Sequence, residues 1–463
     1  MYSKRLIPAF ILIIVMLTCV SATKFETAKT AVSNMKIGWN LGNTLDSNSG
    51  DTTNMWLEWS AVTPTKYETA WGQPVTTRQL IHMFKEAGFN AIRVPVTWYP
   101  HKGIECKTVA VKNSEGKTEY KRYWYMSQWK PSAVDDAWMA RIREVVDYVI
   151  DEGMYCILNV HHDTGTANSA WIKASMDNYR RNRDTFEQLW TEIANEFRDY
   201  DEHLLFEGYN EVTDKYDSWC YATFGASSRY VADDADDAYN AINSYAQSFV
   251  NAVRATGGNN AERNIIVNTY AGCSGSGSWS THLLDPVRQM ALPDDITTDH
   301  LIFEVHDYPN ISNLSSAKSQ ATTMMSNLVS LLGNKGALII GEWGTSDNST
   351  NYNSNRSNFA DFAKYYVQQA TLRGIATFYW MGLSNGDDRT SLQWSQPEIK
   401  DAIVKGYYGD GGYINGISEV HYDTSDVTEV PHSHTPTYNV LGQHVGADSK
   451  GIVISNGQKI LRR

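Results

Sequence analysis

A (β/α)8 barrel followed by a short β-rich tail is what this chain predicts, on three observations. Between Lys36 and about Tyr407, eight short apolar runs closed by glycine or polar residues read as buried strands. Amphipathic helical stretches separate them, the alternation that builds a parallel sheet. Polar and acidic residues follow the runs at their C-terminal ends, where such a barrel carries its active site.

The expected strands are 37–40, 91–95, 155–160, 204–209, 265–269, 301–306, 338–341 and 377–380, with helices such as 77–87 and 137–152 between them. Trp138 and Trp190 fall inside helical patterns and are expected to pack in the core. Residues 101–131 form an insertion with a hairpin turning at Asn113-Ser114-Glu115-Gly116, placed over the catalytic face because it follows the second strand. A second insertion, 212–238, carries Tyr216, Trp219, Tyr221 and Phe224 and shapes the groove. Its acidic run, Asp233 to Asp237, suits a helix N-terminus better than a metal site.

The ends of the chain are different in character. Lys4 and Arg5, an apolar run from Leu6 to Val20, and Ser21-Ala22 read as a secretory signal peptide over 1–22. The run is too short for a comfortable membrane span, so no stable span is expected. Lipidation at Cys19 is an alternative, although Met16-Leu17-Thr18 match its small-residue pattern poorly. The barrel domain then occupies 23–411, a Ser-, Thr-, Asp- and His-rich linker 412–435, and a compact tail 436–463 with a hairpin turn at Asn456-Gly457. Cys106, Cys156, Cys220 and Cys273 lack metal-like spacing, and the sequence assigns no disulfide among them.

With 463 residues, a net charge of −12 and no basic cluster, the chain lacks the footprint of a nucleic-acid binder. Its 15 Trp and 27 Tyr suit stacking on the apolar faces of an uncharged sugar polymer. Two glutamates, Glu211 after LLFEGYN and Glu342 after ALIIG, each follow a strand-like run. Facing each other across a cleft, they supply what glycosidic cleavage requires, one as acid and one as nucleophile or base. Arg93 sits between apolar neighbours on the second strand and needs a carboxylate partner. His161, His162 and Asp163 invite a metal reading, but adjacent strand residues point to opposite faces, so no metal is expected there. Glu207, of the same parity as Glu211 but deeper, reads as a buried structural carboxylate.

The ordered set GWNLGNTLD, WGQPVTT, FNAIRVPVTW, ILNVHHD, LLFEGYNE, EVHDY and IIGEWG resembles glycoside hydrolase family 5, the cellulase-type retaining β-glycanases, over roughly residues 36–400. The resemblance implies a retaining double displacement without metal or cofactor, with Glu211 as acid/base and Glu342 as nucleophile. It places Arg93 beside the nucleophile, Asn210 on the sugar 2-hydroxyl, and His161 along the sugar subsite. His306 orients the acid/base, Tyr308 touches the nucleophile, and Trp380 forms the platform beneath the sugar at the cleavage point. Trp39, Trp98, Trp171, Trp219 and Trp343 are further subsite candidates. Val212 departs from the proline that many members carry after Asn-Glu, which makes the following loop less transferable.

The expected function is a secreted or cell-surface endo-β-1,4-glucanase acting on cellulose-type or mixed-linkage β-glucans, with a plant cell-wall β-glycan as its partner. Mannanase, xyloglucanase and xylanase are the alternatives on this fold, and a non-catalytic carbohydrate-binding protein is the rival from another class. The tail resembles the C-terminal sorting signal of the type IX secretion system, which implies outer-membrane secretion machinery as a second partner.

Overall fold

The computed structural model describes residues 25–48, 63–103, 107–123, 125–226, 229–344 and 348–413, together with five short strands between 421 and 462. The expected signal peptide with Cys19, Cys106, most of the linker and the Asn456-Gly457 turn lie outside the described residues.

Eight strands close into a parallel barrel in sequence order. They are β1 (Ile37–Asn40), β2 (Ala91–Val94), β3 (Tyr155–Asn159), β4 (Leu204–Glu207), β5 (Ile265–Cys273), β6 (Leu301–Asp307), β7 (Ala337–Trp343) and β8 (Ile375–Tyr379). β1 pairs with both β2 and β8, so the barrel has no free edge. Every expected strand is present. The ends differ most at β5 and β7, which run on past the predicted boundaries through irregular backbone.

Alternation along the strands sorts the barrel interior into levels. Ile157, Leu205, Ile266, Ile302, Ile339 and Phe378 form the lower, apolar level, and they share one cluster with Ala28, Ala31, Val32 and Met35 of the helix Ala28–Met35. That helix therefore plugs the N-terminal end of the barrel. One inward step higher stand Asn40, Arg93, Asn159, Glu207, Asn268 and Glu304, all fully buried. Charges at that depth must be paired, and the pairs they make build the floor of the cleft above.

β7 contains the local break in this order that matters most. Val305 of β6 pairs with Ile340 but His306 pairs with Glu342, so β7 carries one extra residue at this point. Strict alternation would send Glu342 outward with Ile340; the bulge re-aims it into the barrel opposite His306. A Cβ on Gly341 would lie 1.4 Å from Glu304 Oε1, so only glycine fits the bulge.

Outside the barrel the helices bury their apolar stripes against the strands. Thr77 caps the helix Arg78–Glu86 and Asp135 caps Asp136–Asp151 with their side-chain oxygens. Phe84 stacks on Trp39 at 3.9 Å, and Trp138 stacks on His101 at 3.7 Å. Trp190 donates its Nε1–H to Gly208 O at 2.8 Å. The insertion after β2 is a hairpin of Lys107–Lys112 and Thr118–Tyr123, turning where the sequence places the turn. The acidic run opens the helix Ala232–Ala255 with Asp233 and Asp234 in its first turn, where carboxylates favour the exposed amides.

Toward the C-terminus, Thr437–Asn439, His444–Val445, Gly451–Ser455 and Gln458–Arg462 join a five-stranded sheet. Ser455 pairs with Gln458, the register a two-residue hairpin loop requires. His421–Tyr422, inside the stretch read as linker, pairs in parallel with Gln458–Arg462, so the sheet reaches further upstream than the expected tail.

Candidate active site

Arg93 organises the floor of the cleft. Its guanidinium donates Nε and Nη2 to the two oxygens of Glu207 at 2.6 and 2.7 Å, the bidentate fork that suits a buried pair. Nη1 donates to Glu342 Oε1 at 2.7 Å and to Asn40 Oδ1 at 3.0 Å. Nη2 also donates to Asn210 Oδ1 at 2.8 Å. With its oxygen committed to Arg93, the Asn210 amide has its N–H group left to offer a sugar hydroxyl. Glu207 is the structural carboxylate expected of it.

Above this floor Glu342 and Glu211 face one another. Each has a carboxylate oxygen within 4.8 Å of the other and of a His306 ring nitrogen. Glu342 also accepts the Tyr308 hydroxyl at 2.7 Å, and Glu211 accepts His306 Nδ1 at 2.8 Å. Glu211 keeps 20% of its side chain exposed, so it can reach a substrate, whereas Glu342 keeps 6%.

Their surroundings push the two carboxyls apart in acidity. Burial pushes Glu211 above the usual carboxylate range, against the pull of His306. Burial would do the same to Glu342, but the charges of His306 and Arg93 and the hydrogen bonds from Tyr308 and Arg93 outweigh it and hold Glu342 below that range. His306 would lose its proton on burial, yet Glu342, Glu211 and Glu304 around it raise it to about 10.

His161 lies with Nε2 3.9 Å from Glu342 Oε1, and its ring is parallel to that of Trp380, with centroids 5.9 Å apart. Burial, with His162, Arg93 and His306 nearby, keeps it neutral at physiological pH. Asn159 Nδ2 donates to its Nδ1 at 3.0 Å, so the ring proton sits on Nε2 toward the cleft. All eight residues singled out from the sequence thus come together around one cleft.

His161 and His162 do not point to opposite faces: their rings lie 4.5 Å apart, because β3 ends at Asn159 and strand alternation ends with it. Together with Asp46 they bring three ligand-type atoms within 4.8 Å. The Asp46 oxygens, however, accept the amides of Thr44 and Asn43 at 2.7 and 3.1 Å, which makes Asp46 a brace for the loop after β1.

Of the further tryptophans, Trp39, Trp98, Trp171 and Trp343 are buried in packing, and Trp219 alone among those five stays open, at 41%. Trp219 lines a cavity of about 400 Å³ with Glu211, Gly272, His306 and Tyr308. A Cβ on Gly272 would approach His306 Nδ1 to 2.9 Å, and its φ is +66°, so this wall too requires glycine. Sequence reading missed Asn40, Asn159, Asp46 and Glu304. All four lie inside the family-like motifs, Asn40 and Asp46 in GWNLGNTLD, Asn159 in ILNVHHD and Glu304 in EVHDY, and for Asn40, Asn159 and Glu304 inward parity was the available signal. A second cavity of about 370 Å³ lies at the opposite end of the barrel, beside Lys29, Lys36 and Arg373, with no carboxylate in its lining.

The sequence pattern of cellulase, glycosyl hydrolase family 5, matches residues 52–386. The chain belongs to this family. A broad-specificity endoglucanase of family 5 from an uncultured bacterium is 46% identical, with a TM-score of 0.73 over 84% of this chain and 98% of that one. A family 5 enzyme from Prevotella bryantii, solved with a xyloglucan tetradecasaccharide, is 38% identical, with a TM-score of 0.67 over 83% of this chain and 99% of that one. Cellulase/esterase CelE of Acetivibrio thermocellus is 33% identical over 81% of this chain, which spans 40% of that protein's length. The chain is therefore a glycoside hydrolase of the endoglucanase type. Among the described residues no helix is long and apolar enough to cross a membrane.

Proposed function

We propose that this is an exported, retaining endo-β-1,4-glucanase in which Glu211 is the acid/base and Glu342 the nucleophile. The observation that carries the reading is the pair of cleft carboxyls with oxygens within 4.8 Å and acidities pushed in opposite directions. Retaining enzymes hold their carboxyls at about 5–5.5 Å, and inverting ones at about 6.5–9.5 Å to admit a water. In the first step Glu342 attacks the anomeric carbon while Glu211 gives its proton to the departing oxygen. Water then enters on the vacated side, Glu211 takes a proton from it, and the new C–O bond displaces Glu342. Arg93 and Tyr308 receive the charge that returns to Glu342. Two inversions give net retention, so proton NMR of the first product from a β-glucan is expected to show the β-anomer. Early appearance of the α-anomer would remove Glu342 as nucleophile.

The preferred backbone is β-1,4-glucan. Trp380 offers a flat platform on the nucleophile side, Trp219 lines the cavity beside the acid/base, and Phe224 and Trp279, packed together at 5.1 Å, expose their rings at 44% and 58%. Such rings bind the faces of pyranose units along a polymer. The broad-specificity and xyloglucan-bound relatives support a glucan backbone with side branches accepted at some positions. Catalytic efficiency on barley β-glucan or carboxymethyl-cellulose should exceed that on mannan and on xylan. A higher value on mannan would overturn the assignment.

Export is supported by the signal-like N-terminus, and the C-terminal sheet is proposed as a sorting signal read by an outer-membrane machine. Truncation after Gly412 should leave the purified enzyme's activity nearly unchanged and retain the protein in the periplasm of its native host. Truncated protein at the cell surface would refute the sorting role.

A further inference from the structure

Beneath the two proposed catalytic carboxyls lies a third glutamate that no step above uses. Glu304 is two residues before His306 on β6, shares its inward parity and is fully buried. Its Oε1 faces His306 Nε2 at 3.3 Å and Arg93 Nε at 3.4 Å. Its Oε2 meets no donor, a costly state for a buried carboxylate that hydrophobic packing would not choose. Room for it exists because Gly341, at the bulge of β7, leaves out the Cβ that would otherwise overlap Oε1. The bulge that aims Glu342 at the substrate therefore also admits Glu304 beneath His306.

His306 is thus held between carboxylates at both nitrogens. Glu211 accepts Nδ1 at 2.8 Å from the end of β4, and Glu304 faces Nε2 from its own strand. Glu342 of β7 stands 3.7 Å from Nδ1. The Asn268 amide of β5 lies 3.4 Å from Nε2, and its oxygen, which has no other partner among the described residues, is the atom that can accept from an Nε2–H once the amide is turned. The charges of Arg93 and its partner Glu207 lie on the far side of Glu304, and neutral His161 faces the same space. A ring between two carboxylates can satisfy both only as an imidazolium, donating at each nitrogen.

We propose that Glu304 is a positioning residue that holds His306 as an imidazolium with Nδ1–H fixed on Glu211, and so sets the acid strength of Glu211 without touching substrate. The inference rests on the reading of Glu211 as acid/base. When Glu211 releases its proton to the leaving oxygen, the carboxylate left behind finds a cation already in place. Neither ring proton of His306 moves: one stays on Nδ1 toward Glu211 and the other on Nε2 toward Glu304. Water returns a proton to Glu211 in the second step, and the arrangement is restored.

The test is the pH profile of kcat/KM for Glu304→Gln on a soluble β-glucan. Without the Glu304 charge His306 loses its proton more readily, the cation that stabilises the Glu211 carboxylate is withdrawn, and the alkaline limb set by Glu211 should move to higher pH by about one unit or more. Glu304→Asp, which keeps the charge, should restore most of that limb. A Glu304→Gln enzyme with reduced kcat and an unmoved limb would overturn the proposal, since mere loss of packing lowers activity at every pH. Should that variant fail to fold, nitrogen-15 NMR of histidine-labelled wild-type enzyme decides the point. His306 is expected doubly protonated at pH 7 to 8, and a neutral ring there would overturn it. Glu211→Ala measured in parallel separates the two readings: absence of leaving-group dependence in that variant removes the acid/base assignment, whatever Glu304 does.

Discussion

Replacing Glu342 by Gln is expected to abolish turnover on polymer and on aryl glycosides alike, with kcat falling on the order of 10⁴–10⁶-fold, the scale at which removing a covalent nucleophile acts. The amide matches the carboxylate in shape but cannot form the bond to the anomeric carbon, and no leaving group compensates for a missing attack. The fold should tolerate the change. Arg93 keeps its fork on Glu207 and its contact to Asn40, so the buried cation stays paired. Steady-state rates on both substrate types, with a thermal melt alongside, check this. A loss below about 10²-fold with an intact fold would mean that the variant retains its nucleophile, and Glu342 would not be it.

The barrel was legible because the sequence writes its alternation plainly. Each strand is a short apolar run, each helix has an apolar stripe, and residues such as Thr77 and Asp135 mark helix starts by capping chemistry. The cleft was legible for the same reason: Arg93, His306 and Trp380 share inward parity at strand ends, and that parity converges them. What the sequence did not display was departure from regular strand geometry. Glu342 points inward because β7 gains a residue at Gly341, and nothing in ALIIGEW announces a bulge except the glycine itself. His161 and His162 lie side by side for a related reason, since β3 ends at Asn159 and strand alternation no longer governs the residues that follow. Glu304 shows the complementary limit. Its parity was readable, but its contacts with His306 and Arg93 join β6 to β2 across the barrel and depend on the vacancy at Gly341. Likewise four of the five further tryptophans proved to be packing, because an aromatic in a motif carries no mark of which side of the sheet it serves.

Glu211→Ala is expected to divide substrates by their leaving groups. On β-glucan the departing sugar hydroxyl needs a proton, and loss of general acid catalysis should lower kcat/KM by about 10²–10⁴-fold. On an aryl cellobioside with a strongly activated phenol the bond to the leaving group breaks unaided. The first step should then stay near wild-type rate, and the glycosyl-enzyme should accumulate because the water that releases it lacks its base. Added azide needs no deprotonation, so it should raise turnover of this variant and yield a β-glycosyl azide. The acidities in the cleft make a further demand on the same experiment. In wild-type enzyme, activity requires ionised Glu342, held below the usual range, and protonated Glu211, held above it by burial. The profile of kcat/KM should therefore rise through the first ionisation and fall through the second. In Glu211→Ala the falling limb should vanish for the activated glycoside while the rising limb of Glu342 remains. Equal losses on both substrate types, or a falling limb that survives the substitution, would mean that another group supplies the proton. His306 would then be the first candidate, since its imidazolium is the proton donor adjacent to the same cleft.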